Sequence, residues 1–175
     1  MKKVIAIFIC AASMACVSVS AQDIYHTAAG VPMVQLNNGI LMPQFGLGTF
    51  LQPSDEVCKQ SCLTALRAGY RHIDTAFIYG NEASVGKAVR TCGLPREKLF
   101  VATKLWNADR GYDAAMRAFE TALKKMELSY LDLFLIHWPA TKGEPMTWQS
   151  INSGTWRALE GLYDQGLVRA IGVSN

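Results

Sequence analysis

The sequence predicts an α/β protein whose strands lie parallel in one sheet. Two observations carry this. Short apolar runs alternate with amphipathic helical stretches from about residue 44 onward, so the hydrophobic period switches repeatedly between strand-like and helix-like. Each apolar run also ends in polar residues unsuited to a strand interior. Those ends advance by 26, 30, 33 and 37 residues, spacings that fit one strand and one crossover helix each time.

The elements follow in chain order. Met1-Lys2-Lys3, an apolar run from Val4 to Ala12 and small residues up to Ala21 read as a secretory signal peptide over residues 1–21. Ser13, Ser18 and Ser20 interrupt the run short of the roughly 20 residues a membrane span needs, which disfavours an anchor helix. A short linker is assigned to 22–30 and one domain to 31–175. Val34-Gln35-Leu36 and Ile40-Leu41-Met42 flank Asn37-Asn38-Gly39, a strong hairpin signal. Strands are then predicted at Gln44 to Gly48, Arg71 to Asp74, Leu99 to Thr103, Asp132 to Ile136 and Val168 to Val173. Helices are predicted near 55–68, 81–92, 112–126 and 155–165. In the third helix Met116, Phe119, Leu123 and Met126 recur at helical spacing and are expected to cover the sheet. Gly93 and Gly166 fall just past helix ends, where a left-handed cap favours glycine. Residues 140–154, with Trp148 among them, read as a long polar connection.

Composition narrows the class. Without the leader about 154 residues remain, enough for one domain with a sizeable core. A complete (β/α)8 barrel takes about 250. Charged residues at 18% and aromatic residues at 10%, with no low-complexity tract, exclude disorder. With Lys2 and Lys3 set aside, 15 basic residues face 14 acidic ones, a balance that offers nothing to nucleic acid or to a charged membrane surface. Cys10 and Cys16 belong to the leader. The remaining Cys58, Cys62 and Cys92 are odd in number and lack zinc-ligand spacing, so neither a disulfide framework nor a structural metal is expected. Cys58 and Cys62 read as small buried hydrophobes on a helix.

The strand ends hold the chemistry. Thr49, Asp74, Lys104, His137 and then Ser174-Asn175 all fall at the end of a parallel strand, and such ends share the face that carries active sites in α/β proteins. Singly, a carboxylate or lysine there is a solvated loop residue or a helix cap, and an Asp74–Lys104 pair can be purely structural. The conjunction points to chemistry. Tyr79 lies in a loop five residues past Asp74, within reach of the same face. An ordinary tyrosine, with a pKa of about 10, is a poor acid at neutral pH. A nearby ammonium is expected to lower that value and make the hydroxyl a better proton donor to a carbonyl oxygen. Other chemistries fit less well. After Gly46 and Gly48 a dinucleotide fingerprint needs glycine at position 51, where Leu51 stands. Gly172-Val173-Ser174-Asn175 is no nucleophile elbow. His26, His72 and His137 lie on separate segments, a weak basis for metal ligation.

At these residues the chain resembles an aldo-keto reductase. Gly69-Tyr70-Arg71-His72-Ile73-Asp74-Thr75-Ala76, continuing through Tyr79-Gly80-Asn81-Glu82 to Val85-Gly86, resembles one family signature. Leu131 to Pro139 resembles a second, and Thr103-Lys104-Leu105-Trp106 a third stretch. The resemblance runs from about Val34 to Asn175. It implies a (β/α)8 barrel behind an N-terminal β-hairpin, with about five of the eight strands present here. It implies reduction of an aldehyde or ketone by hydride from NADPH, with NADH as the second option. Tyr79 matches the family's proton donor, Lys104 the residue that lowers its pKa, Asp74 the partner of that lysine, and His137 the residue that orients the substrate carbonyl. Thr49 and Phe50 match positions that contact cofactor or substrate, although an indole is common where Phe50 stands. Asp74, Ser174 and Asn175 match cofactor contacts. Trp106 and Trp138 would line the substrate pocket.

Three rival readings remain at this point: a Schiff-base aldolase using Lys104, a cofactor-binding regulatory barrel, and a non-catalytic half-barrel. The chain is expected to be part of a longer protein that is monomeric at full length, with little activity in the 175 residues alone. The leader implies an exported, periplasmic protein without a membrane span once it is removed, or a cytoplasmic one if it is not used.

Overall fold

The computed structural model describes residues 25–26, 30–53, 56–140 and 147–175. The predicted signal peptide lies outside them. Asn37-Asn38-Gly39 turns the chain as expected: Gly39 takes a positive φ of 85°, and the Leu36 amide donates to the Ile40 carbonyl at 2.8 Å. Strands β1 (Tyr25–His26), β2 (Pro32–Gln35) and β3 (Leu41–Pro43) form an antiparallel sheet in that order. β1 falls in the stretch read as a linker. Two residues are too few to show alternation, and their pairing with Pro32 and Met33 is a backbone interaction the sequence does not signal.

Five short segments then pair side by side and parallel, in the order β4 (Gly46–Gly48), β5 (His72–Asp74), β6 (Phe100–Leu105), β7 (Leu133–Ile136) and β8 (Ile171–Val173). Their order in space is their order in the chain, the topology of successive right-handed βα units. β6, the central strand of the row, is buried at every position. The hairpin caps the opposite end of the sheet from the polar strand ends. Its Asn38 side chain donates to the Arg169 carbonyl at 2.9 Å, just before β8, and Pro43 offers its carbonyl to His72 at the start of β5.

Helices α1 (Glu56–Arg67), α2 (Glu82–Thr91), α3 (Tyr112–Met126) and α4 (Trp148–Asp164) connect the strands and bury one stripe each. Cys58, Cys62 and Leu66 of α1 are buried, as are Phe119 and Met126 of α3, where Phe119 meets Phe134 of β7 edge to face at 5.2 Å. Gly86 lies so close to the Met126 backbone that a Cβ would collide with it. Gly93 and Gly166 adopt φ of 79° and 71°, the left-handed caps expected. α3 ends instead on Glu127 at φ 52°, a cap without a glycine to announce it.

The polar connection is shorter than predicted, because α4 begins at Trp148 rather than near residue 155. Ser150, Ser153 and Thr155 turn their hydroxyls back onto the carbonyls of Thr147, Gln149 and Ile151, so a loop-like composition is satisfied inside a helix. Gly154 lets that helix approach the backbone at Tyr112, and Thr155 accepts the Gly111 amide at 2.7 Å. Trp148 therefore sits on a helix, and residues 141–146 of the predicted loop lie outside the described residues. Among the described residues no helix is long and apolar enough to cross a membrane, and no cluster of three or more His, Cys, Asp or Glu is placed to hold a metal.

Candidate active site

Register builds the site. Asp74 pairs with Ala102 across β5 and β6, and the period of two in a strand puts Lys104 on the same face as Ala102. Lys104 Nζ reaches both Asp74 carboxylate oxygens, at 2.7 and 2.6 Å, and the Thr75 carbonyl at 3.0 Å. Those three acceptors match the three ammonium hydrogens, which is how a lysine side chain only 8% exposed is satisfied.

Tyr79 closes a short 3-10 turn, Phe77–Tyr79, that ends on Gly80 at φ 70°. Lys125 of α3 braces that turn, its ammonium 4.3 Å from the Phe77 ring centre and 3.6 Å from the buried Glu82 carboxylate. The turn brings the Tyr79 ring to 5.0 Å from Phe50 and 5.8 Å from His137, centre to centre, with Lys104 Nζ 5.4 Å from the ring. Burial, and after it the Asp74 charge, push the Tyr79 phenol up from its ordinary value. This corrects the expected lowering. The lysine charge is held by the carboxylate, and the phenol feels the carboxylate too.

His137 hangs from the end of β7, its amide donating to the Leu105 carbonyl at 3.1 Å. Its ring lies 5.5 Å from Trp106 and 6.5 Å from Trp138. Burial and the Lys104 charge depress its pKa against the opposing pull of Asp74, so the neutral imidazole is favoured. Nδ1 is buried with no hydrogen-bond partner among the described residues. Past β8, Asn175 Nδ2 donates to the His137 carbonyl and to Ser174 Oγ, each at 2.9 Å.

A cavity of about 530 Å³ joins these groups. Asp74, Tyr79, Lys104, His137, Ser174 and Asn175 supply its polar lining. Phe50, Trp106 and Trp138 wall it together with Ile78, which the sequence did not single out. Thr49 is the predicted site residue that does not line it. Its side chain is fully buried and its one hydroxyl hydrogen is shared between the Asp74 carbonyl and Asn81 Oδ1, each 3.2 Å away. The sequence also missed the Thr75 carbonyl as an acceptor for Lys104, since no side-chain pattern marks a backbone oxygen.

Residues 44–175 match the profile of the aldo/keto reductase family. The chain belongs to this family. A glyoxal reductase of Bacillus subtilis is 47% identical over 142 residues, 81% of this chain and 49% of that protein. A morphine 6-dehydrogenase of Pseudomonas putida is 46% identical over 144 residues, 82% of this chain and 46% of that protein. A solved aldo/keto reductase from Brucella melitensis superposes with a TM-score of 0.76 at 48% identity, covering 83% of this chain and 54% of that one. An aldo-keto reductase of Bombyx mori, solved in complex with NADP, gives 0.71 at 38% identity, covering 82% and 50%. This chain spans about half the length of the curated relatives it matches, and its five-stranded sheet corresponds to part of the aldo/keto reductase barrel.

Proposed function

We propose that the protein reduces an aldehyde or ketone to an alcohol with NADPH, NADH being the alternative donor, and that Tyr79 supplies the proton. The observation that carries this is the Lys104 ammonium fixed by Asp74 beneath a cavity that Tyr79 and His137 share. The cavity suits a nicotinamide and a small carbonyl. Ser174 and Asn175 offer a hydroxyl and an amide on its rim, groups that pair with a carboxamide, and its volume lies within the range of small-molecule sites.

Bound reduced nicotinamide supplies the hydride that goes to the carbonyl carbon. Tyr79 holds the matching proton at Oη and passes it to the carbonyl oxygen as negative charge develops there. Lys104 Nζ, 5.4 Å from the Tyr79 ring centre, is the positive charge that would stabilise the phenolate left behind. His137, favoured as the neutral ring, orients the carbonyl by hydrogen bonding, and Phe50, Trp106 and Trp138 exclude water from it. Lys104 directs its hydrogens at Asp74 and Thr75, which argues against an amine poised to form a Schiff base. The relatives named for glyoxal and for morphine support the reaction class and leave the substrate open.

NADPH consumption by the full-length protein with a panel of aldehydes and ketones tests this reading. Tyr79→Phe should lower kcat by about 10²–10⁴, the usual contribution of a positioned acid. Undiminished turnover in that variant overturns the assigned donor, and borohydride trapping at Lys104 would establish the aldolase instead. We further propose that the protein acts as a monomer and that its leader directs export, which N-terminal sequencing of the mature protein tests.

A further inference from the structure

Asparagine just before a helix ordinarily uses its side chain to accept a hydrogen bond from the free N–H groups of the first turn. Asn81 stands there before α2 and makes no such bond. Its side chain is fully buried and used elsewhere. Oδ1 accepts from Thr75 Oγ1 at 2.8 Å and Thr49 Oγ1 at 3.2 Å, while Nδ2 donates to the carbonyls of Thr49 at 2.8 Å and Gln52 at 3.1 Å. Those two carbonyls are the first and last of a tight turn, closed by the Gln52 amide on the Thr49 carbonyl at 3.1 Å.

The turn is strained. Leu51 sits at φ 62°, in the left-handed region, with a side chain 83% exposed and little packing to hold it there. Such a conformation persists where the surroundings over-determine the backbone, and the Asn81 carboxamide grips both ends of this one. The other inner residue is Phe50, whose ring lies 5.0 Å from Tyr79. Asn81 itself follows Tyr79 by two residues, so one side chain ties the turn to the loop that presents the phenol.

We infer that Asn81 is a positioning residue: its carboxamide clamps the turn from Thr49 to Gln52 and so holds Phe50 against Tyr79 at the cavity. Its kinetic consequence rests on the carbonyl-reductase reading, and its geometric consequence does not.

Both are measured on the full-length protein. By hydrogen exchange, Asn81→Ala should speed exchange of the Gln52 amide about tenfold or more while the amides of β6 keep their protection. Unchanged protection at Gln52 overturns the clamp whatever the activity. By kinetics, Asn81→Ala should lower kcat/KM for carbonyl reduction about tenfold, but less than about twofold when Phe50→Ala is already present, because a residue acting through Phe50 then has nothing left to place. Equal losses in both backgrounds overturn the positioning role. Asn81→Asp preserves the shape and replaces the donor with an acceptor facing two carbonyls, so it should match the alanine variant in both measurements. Wild-type exchange and rate in Asn81→Asp overturn the inference even if Asn81→Ala fails to fold. If the unmutated protein reduces no carbonyl, the functional reading falls and the exchange measurement still decides the clamp.

Discussion

Tyr79 stands near one carboxylate and one ammonium, those of Asp74 and Lys104. Asp74 raises the phenol pKa alongside burial. A raised pKa keeps the donor protonated further into the alkaline range, so the rate of reduction should hold until the phenol itself ionises. Neutralising the carboxylate removes one of the raising causes and leaves the ammonium unbalanced, and both changes favour phenolate. Asp74→Asn should therefore move the alkaline limb of kcat/KM to lower pH, with a loss of roughly tenfold or more at neutral pH as Lys104 loses its charged partner. A limb that stays in place or moves up contradicts this electrostatic arrangement. At this scale the sequence was informative where chemistry falls on strand ends: Asp74, Lys104, His137 and Asn175 could be placed together because parallel strands point one way. It misjudged the sign at Tyr79, since whether Asp74 or Lys104 dominates there depends on distances that spacing does not fix. It was silent on Asn81, because asparagine ahead of a helix reads as a cap.

Helices α2 and α3 are held at a separation that only glycine permits. Gly86 faces the Met126 carbonyl and Cα, and Arg90, one turn on, donates to that same carbonyl while pairing with Glu127 at 3.1 Å. Gly86→Ala would gain about 1 kcal/mol of helix propensity. It would also drive a methyl into backbone that cannot rotate away, and overpacking of this kind costs about 1–3 kcal/mol. The collision is with backbone rather than a flexible side-chain end, so the loss should win, lowering stability by up to about 2 kcal/mol in urea unfolding of the full-length protein. A more stable alanine variant would mean that the two helices can separate freely. Hydrophobic period revealed both helices, and Asn-Gly between apolar residues the hairpin, at nearly their observed limits. It failed at α4, where Ser150, Asn152, Ser153 and Gly154 imitate a loop while the hydroxyls bond locally and the glycine serves helix contact. Period reads burial, and an element satisfied by its own side chains shows none.

The whole sheet is open among the described residues, since β4 and β8 each pair on one side only. Alternate residues of β7, Leu133 and Leu135, are only half buried while Phe134 and Ile136 are buried, so the helices cover one face far better than the other. Phe45, Leu51 and Val57 add exposed apolar surface near β4. Surface of this kind, with unpaired strand edges beside it, is what other chains adhere to. The cavity also borders an edge, for Ser174 and Asn175 directly follow β8, the last strand of the row. The 175 residues alone are therefore expected to self-associate in a concentration-dependent way by light scattering and to show little NADPH oxidation with any aldehyde. A chain extended to the length of its relatives should be monodisperse and active, because further strands would cover the inner face, pair the edges and complete the walls around Ser174 and Asn175. A monomeric 175-residue chain that turns over as fast as the extended one would show that five strands suffice both to shield the sheet and to hold the cofactor.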